Sequence, residues 1–372
     1  MAEAVRIAFL GGLGEIGRNC MTIEYGGRML LIDVGLMFPD ADMHGIDLVL
    51  PDFTYLREHA DRIEAVVATH GHEDHIGALS YLLRDLSFPI YGSPLTLGLA
   101  RNRIEEAGLL GRTELIPVAD GERRQIGPFD VEFIPVTHSV PYAFAIALHT
   151  PQGVVLHSGD FKLDLTPVDR RITDLARIGA LASVDGIRLL MCDSTNSEEK
   201  GYAPSETAVG AVLQAVFTQH VGRRIITASF ASHIHRIQQI ANAAIYHGRK
   251  VATLGLSRRK NVRLARDLGI LHISDASLVD IEDVVDLPPG QVCIISTGSQ
   301  GEPMSALSLL AQGENRWLKV TPDDTVVLSS HAIPGNEFNV NRVIDGLLRA
   351  GAGSSTPASP TCTPPGTRRR TS

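Results

Sequence analysis

The chain has 372 residues, enough for about two domains at ~150 residues each. At 44% hydrophobic and 20% charged it has an ordinary globular composition, which excludes a fibrous or wholly disordered chain. A net charge of −8 argues against a surface that coats nucleic acid by neutralising phosphates, while leaving room for a local basic groove.

The apolar stretches are far shorter than the ~18 residues that span a membrane, and no signal peptide is evident at the N-terminus. The cysteines, Cys20, Cys192, Cys293 and Cys362, are scattered without a CxxC pair. They make neither a zinc-finger nor a disulfide framework, so a reduced cytoplasmic protein is expected.

In chain order, residues 5–10, 21–25 and 29–33 read as strands, the last two joined by a two-residue turn at Gly26-Gly27. A strand over 65–69 leads into a helix over 75–83, and another helix covers 94–107. Strands at 131–135, 144–149 and 154–158 follow, the last two joined by a tight turn at 151–153, then a helix over 175–182. From Pro204 the texture changes. A helix capped by Ser205 runs to about residue 219. Strand and helix then alternate over 224–229, 233–247, 250–254, 261–268, 291–296, 304–310 and 325–330, the rhythm of a parallel sheet. An amphipathic helix over 339–349 closes the series. Residues 351–372 hold no Leu, Ile, Val, Met or aromatic residue and are expected to be disordered. The basic run 249–266 (Arg249, Lys250, Arg258, Arg259, Lys260, Arg263, Arg266) reads as a solvated helix face, with a nucleic-acid groove as the alternative.

The strongest chemical signal is THGHEDHIG at 69–77, which puts His70, His72, Asp74 and His75 within six positions, directly after an apolar strand. A strand running into a loop and then a helix can aim His70 and His72 at one metal ion, and Asp74 and His75 at a second. Imidazole and carboxylate without thiolate suit Zn²⁺ or Mn²⁺ in a catalytic role. His138 in PVTHSVP and Asp160 in HSGDFK also follow strands, where layered folds carry functional groups. Asp33 in LLIDVG sits in too apolar a setting for a solvated acid; it orients a ligand imidazole or caps the next turn. Gly12-x-Gly14-x-x-Gly17 mimics a dinucleotide fingerprint, but a hairpin follows it instead of a helix, so no nucleotide cofactor is expected.

In this order the motifs resemble the metallo-β-lactamase superfamily. GGLGEIGRN (11–19), IDVGLMFPD (32–40), THGHEDHIGAL (69–79), HSGDFKLD (157–164), DSTN (193–196), FASHIHRIQQI (230–240), STGSQGEPMSAL (296–307) and IPGNE (333–337) together resemble the ribonuclease J family, the RNA-acting β-CASP branch, over residues 5–349. The resemblance implies an α/β protein: an αββα metallo-β-lactamase sandwich over 1–203, an inserted β-CASP α/β domain over 204–350, and a non-family tail over 351–372. It also implies that His70, His72 and His138 hold one zinc, that Asp74 and His75 hold a second, that Asp160 bridges them, and that Asp33 orients. Asp74 and Asp193, the latter in the first β-CASP motif, are the implied catalytic acids. Ser229, Ser232, His235, Ser296, Thr297 and Gly298 fall where the family holds RNA phosphates. The implied cofactor is a pair of Zn²⁺ ions, with Mn²⁺ or Mg²⁺ as alternatives. The implied activity is 5′→3′ exonucleolytic and endonucleolytic cleavage of RNA in processing and decay, by cytoplasmic homo-oligomers that join RNA-decay assemblies and need no membrane.

Gly255-Leu256-Ser257 stands where the family has Gly-Arg-Ser, and Ala332 stands where its Pro-Ile-Pro-Gly-Asn-Glu motif begins. After the helix over 339–349 the family continues with two further histidine motifs, one completing the second zinc, and with a dimerising C-terminal domain. The last histidine here is His331. The expectation is a second metal site one ligand short, a first domain with unpaired strand edges, and weak or absent nuclease activity. The competing readings are another hydrolase of this fold, and an impaired remnant that binds RNA or a partner subunit.

Overall fold

The computed structural model describes residues 4–39, 43–198, 200–302, 304–330, 332 and 336–355. Its internal contacts divide the chain into two compact units. One holds residues up to 203 with 232–235 and 261–271; the other holds 204–231, 236–260 and residues from 272 onward.

In the first unit β1 (Arg6–Gly11), β2 (Cys20–Tyr25), β3 (Arg28–Val34), β4 (Ile63–Val67), β5 (Ile90–Gly92) and β6 (Leu115–Pro117) form one sheet in that order. It is antiparallel as far as β3 and parallel beyond. A second sheet takes β7 (Arg123–Ile126), β8 (Phe129–Val136), β9 (Ala143–Thr150), β10 (Gly153–His157) and β11 (Ile187–Met191), also in order. The β2–β3 hairpin closes through Gly26 and Gly27, at φ +62° and +71°, in the left-handed conformation that matches strand twist. The helices are α1 (Thr54–Glu58), α2 (Glu73–Ile76), α3 (Leu79–Leu82), α4 (Pro94–Glu106) and α5 (Leu175–Val184).

Period-two alternation makes the sandwich. Met21, Ile23, Leu30, Ile32, Ala65 and Val67 from the first sheet share one core with Val131, Phe133, Phe144, Ile146 and Leu148 from the second. Each such side chain contributes about 1.5–3 kcal/mol on burial. The opposite face of β8–β10, including Ile134, Ala145, Ala147 and Leu156, is covered by Leu181 of α5, while α4 packs on β5 and β6. β1 and β11 are sheet edges, and they leave Phe9, Leu189 and Leu190 exposed.

The helix expected over 75–83 is two helices, α2 and α3. The Ala78 amide leaves the helical ladder to donate to the Val34 carbonyl at 3.0 Å, a tertiary bond that periodicity does not reveal. β5, β6 and β7 escape the sequence pattern because they are short, and β7 (RRQI) is mostly polar; β11, as long as β4, escapes it as well.

From residue 204 the elements are α6 (Glu206–Gln219), β12 (Arg224–Ala228), α7 (Ile234–Tyr246), β13 (Lys250–Leu254), α8 (Leu256–Asp267), β14 (Val292–Ser296), α9 (Ala306–Gln312), β15 (Asp324–Leu328), α10 (Glu337–Arg349) and β16 (Gly353–Ser355). The Ser205 hydroxyl caps α6 by accepting the Thr207 amide. The strands form a parallel sheet in the order β13-β14-β12-β15-β16.

Two expectations need correction. The segment 351–372 is not disordered from its start: Ala352 joins the core beside Val343 and Leu347, and Gly353–Ser355 pairs with β15. Main-chain pairing needs no large apolar side chain, so composition could not reveal it. Residues 356–372 lie outside the described residues, as do Asp40, His331 and 333–335 of the IPGNE motif. The basic run is not wholly a solvated face either, because Arg249 and Arg258 are buried. Both donate to backbone carbonyls at the ends of strands.

Candidate metal centre

The strands of the first unit decide where its polar residues meet. β3 and β4 run parallel, and β8 and β10 are both antiparallel to β9, so they share a direction. Each delivers a residue at or just past its C-terminal end: Asp33, the 69–75 segment, His138 and Asp160. The Phe144 amide donates to the Thr69 carbonyl at 2.9 Å and ties the two sheets at that edge.

Among the described residues two groups of potential ligands result: His70, His72, His138 and Asp160 in one, Asp74, His75 and Asp160 in the other. His72 Nδ1 lies 3.0 Å from His70 Nε2 and 3.1 Å from His138 Nε2. Asp160 Oδ2 is 3.7 Å from the same nitrogens of His70 and His138. Donors bound at ~2.1 Å to one tetrahedral ion stand about 3.4 Å apart, so this set fits a single cation. On the other side His75 Nε2 is 3.3 Å from Asp160 Oδ1 and 3.7 Å from Asp74 Oδ2. The two oxygens of Asp160 therefore face one group each.

Electrostatics suits cation binding. Burial and the neighbouring imidazoles hold His70 well below the usual histidine range, and burial brings His72 down to about 4. Both present lone pairs at neutral pH. Burial opposes a charge on His75 too, but Asp160, Asp74 and Asp33 outweigh it and hold His75 well above that range. Burial likewise works against the Asp160 charge, yet His75 and the other imidazoles keep its carboxyl well below the normal carboxylate range.

Asp33 is buried, with Oδ2 2.7 Å from His75 Nδ1 and 2.8 Å from the Thr69 hydroxyl that donates to it. Its Oδ1 accepts the Thr69 amide at 2.7 Å. These bonds hold Asp33 at φ +60°, a conformation that costs a non-glycine residue free energy and is retained where surroundings enforce it.

Three supporting residues escaped the sequence reading. Thr69 links Asp33 to His70, whose Nδ1 is 3.0 Å from its hydroxyl. Ser139 Oγ is 3.2 Å from His72 Nε2. Asn19 is the most connected: its backbone amide and its Nδ2 both donate to the Asp74 carbonyl, at 3.0 and 3.1 Å, and Nδ2 is also 3.1 Å from His75 Nε2. Gly35 closes the same turn, where a Cβ would meet the Asp74 carbonyl oxygen at 1.6 Å. Asn19 and Gly35 stand in motifs, GGLGEIGRN and IDVGLMFPD, that signalled their importance without their roles.

Asp193 belongs to neither group. Its Oδ1 accepts the Thr195 amide and hydroxyl at 2.9 and 2.7 Å, and its own amide donates to Ser158 Oγ at 2.9 Å. His235 Nε2 is 3.1 Å from Asp169 Oδ2, and the Ser232 carbonyl accepts the Ile234 amide. In the second unit Ser229 follows β12 and Ser296 ends the neighbouring β14; both are buried. The Thr297 amide donates to the Leu254 carbonyl, and Gly298 has φ +97°.

Comparison with known proteins accounts for both units. Residues 13–181 match the metallo-β-lactamase superfamily, and residues 222–347 match the β-CASP domain of ribonuclease J. Ribonuclease J of Mycolicibacterium smegmatis is 44% identical over 349 residues, covering 94% of this chain and 62% of that protein. The Thermus thermophilus ribonuclease J is 46% identical over 357 residues, again 94% of this chain and 62% of the relative. For the Helicobacter pylori J99 protein of that name the values are 42%, 93% and 50%. The chain thus spans between half and 62% of the length of these relatives. A solved protein of unknown function from Enterococcus faecalis shares the fold, with a TM-score of 0.66 over 95% of this chain and 88% of that one at 15% identity. The chain belongs to the ribonuclease J family, in the β-CASP branch of the metallo-β-lactamase superfamily.

Proposed function

We propose that the chain is a metal-dependent ribonuclease that hydrolyses RNA phosphodiesters. The observation that carries this is the pair of His/Asp groups joined at Asp160, in a chain whose second unit matches the ribonuclease J β-CASP domain.

His70, His72 and His138 would hold one divalent cation together with Asp160, and Asp74 and His75 would hold another with the same carboxylate. The nitrogen-rich first group favours Zn²⁺, with Mn²⁺ or Mg²⁺ as alternatives. When bound, such cations supply charge neutralisation at a phosphoryl group and acidify the attacking water. The neutral imidazoles of His70 and His72 offer lone pairs with no proton to displace. Asp33 holds the His75 ring by Nδ1, which leaves Nε2 turned toward Asp74 and Asp160. Asp74, whose carboxylate is one-third exposed, is placed to accept a proton from an approaching water, and Asp193 is the second candidate acid.

Ser229, Ser232, His235, Ser296, Thr297 and Gly298 mark the proposed RNA-phosphate site; Ser232 and Thr297 are half-buried, and Ser229 and Ser296 lie fully enclosed behind its surface. Cleavage would be 5′→3′ exonucleolytic and endonucleolytic, in the cytoplasm, by a homo-oligomer engaged in RNA decay. Among the described residues no helix is long and apolar enough to cross a membrane.

Among the described residues the second group offers three protein ligands against four in the first, which favours tighter binding at His70, His72 and His138. It also supports a second reading, an RNA-binding chain of low turnover. Metal content of the purified chain, measured beside cleavage of a 5′-monophosphorylated RNA, tests both. Two metals with cleavage establish the first reading, and one metal with RNA binding but no cleavage favours the second. A chain that takes up no metal overturns the first reading, and one that also fails to bind RNA overturns both.

A further inference from the structure

We propose that Arg258 is a positioning residue for RNA binding: from beneath the C-terminal rim of the parallel sheet it bridges the exits of β12 and β14, through Ser229 and Ser296, and fixes the separation of the segments that leave those strands. This rests on the reading that residues of those segments, the half-buried Ser232 and Thr297 among them, contact the RNA backbone; Ser229 and Ser296 themselves are fully enclosed.

β12 and β14 are hydrogen-bonded neighbours, with Ala228 opposite Ser296. Open parallel sheets bind ligands outside the carboxyl ends of their strands, so the loops leaving these two strands need a fixed relative position. Arg258, near the start of α8, supplies it. Nη1 donates to Ser229 Oγ at 3.2 Å, and Nη2 donates both to the Ser229 carbonyl and, at 2.8 Å, to the Ser296 carbonyl. One planar guanidinium therefore spans two strands, which a single-point ammonium could not reproduce.

The side chain is completely enclosed, so it touches no substrate and acts through the residues it holds and through the field of its charge. None of its hydrogen-bond partners is a carboxylate, and its Nε is buried without a partner. Burial pushes its pKa down to about 9, with Glu302 acting the other way, so it stays a cation at neutral pH. A buried cation with no carboxylate among its hydrogen-bond partners, and Glu302 only as a coulombic neighbour, is expensive to keep and leaves positive potential under the rim, where a phosphate would sit.

Arg249 is the internal control. It is also buried and also donates to carbonyls, those of Arg223, Val292, His220 and Val221, but at the opposite end of the same sheet, where β12 and β14 begin. A purely structural need for a buried arginine would apply to both positions. A positioning role applies to Arg258 alone.

The test measures affinity for a 5′-monophosphorylated oligoribonucleotide, its salt dependence, and thermal melting, for the wild-type chain and the variants Arg258→Met, Arg258→Lys and Arg249→Met. Arg258→Met is expected to weaken RNA binding by about tenfold or more and to flatten the salt dependence. Arg258→Lys keeps the charge but not the bridge, and is expected to lose about threefold to tenfold. Arg249→Met should melt earlier yet bind RNA as the wild type does. If Arg258→Met does not fold, Arg258→Lys carries the test alone. Wild-type affinity in Arg258→Lys overturns the bridging role, and an equal loss in Arg249→Met reduces Arg258 to general stability. A wild-type chain that fails to bind overturns the RNA reading itself, an outcome distinct from binding that survives loss of Arg258.

Discussion

The group around Asp160 and the rim around Ser229 both sit at strand exits, but they handle charge in opposite ways. Around Asp160, carboxylates and imidazoles face one another at 3.3–3.7 Å, and Asp33 and Asn19 hold the ligand turn from outside. Carboxylates and lone-pair-bearing imidazoles are interleaved there, and the nitrogens converge on a point that a cation would fill. At the rim a single enclosed arginine donates only to a hydroxyl and carbonyls, and Glu302, a coulombic neighbour without a hydrogen bond to it, offsets its charge in part. The first arrangement suits holding positive ions; the second suits attracting a polyanion. The contrast also separates two kinds of support: in the first unit the supporting residues orient ligands, while at the rim one residue sets the spacing between strands.

The strongest way to break this comparison is Asp160→Asn. It removes the one carboxylate that faces both groups, and metal affinity should fall by more than about 100-fold, read by zinc titration against a chelator. Retention of two metals would mean that the groups are independent. Gly35→Ala comes next, because a Cβ there collides with the Asp74 backbone. It should cost about 3 kcal/mol and displace Asp74 and His75, giving an earlier melt and loss of the second metal before the first. Unchanged melting would show that the turn has more slack than its contacts imply. Asn19→Ala is subtler. It should weaken the second metal by about tenfold and leave the first unaffected, which two-step cobalt or zinc titration would resolve.

The smallest effect is on pH. His70, His72 and His157 are held below the usual histidine value by burial, His72 at about 4, so they bind fewer protons folded than unfolded. The metal-free chain should therefore lose stability as pH falls from about 6.5 toward 4. His75, raised above that value, acts in the opposite sense: its stabilisation is present below 6.5 and is lost as pH rises through its folded value. His220 is lowered by burial as well, so four groups against one set the sign, and a lower melting temperature on acidification of the metal-free protein checks it. Metal-loaded protein melting independently of pH across most of that range would support proton exclusion by the bound ion.

Local order in the chain was enough to locate much of this. Alternating apolar residues mark the sandwich strands, Gly26-Gly27 marks the hairpin, and strand-helix alternation after residue 204 marks the parallel sheet. These are properties of consecutive residues, and a strand pattern or a turn is specified within a few positions. The dense set His70, His72, Asp74 and His75 is readable for the same reason, since one loop carries all four.

What only the tertiary structure decided involves residues far apart in the chain. Asn19, Gly35 and Asp74 meet because β2 and β3 bring the first two against the turn after β4, and nothing near Asn19 in sequence announces that. Arg249 and Arg258 look like members of one solvated basic run until the fold places each beneath strand ends whose carbonyls replace water. Gly353–Ser355 becomes a strand because β15 offers an open edge, and backbone pairing asks nothing of side-chain polarity. Sequence pattern determines which elements form and which residues could bind metal. Burial, and the long-range hydrogen bonds it makes obligatory, determine which of those residues are held in place and by what.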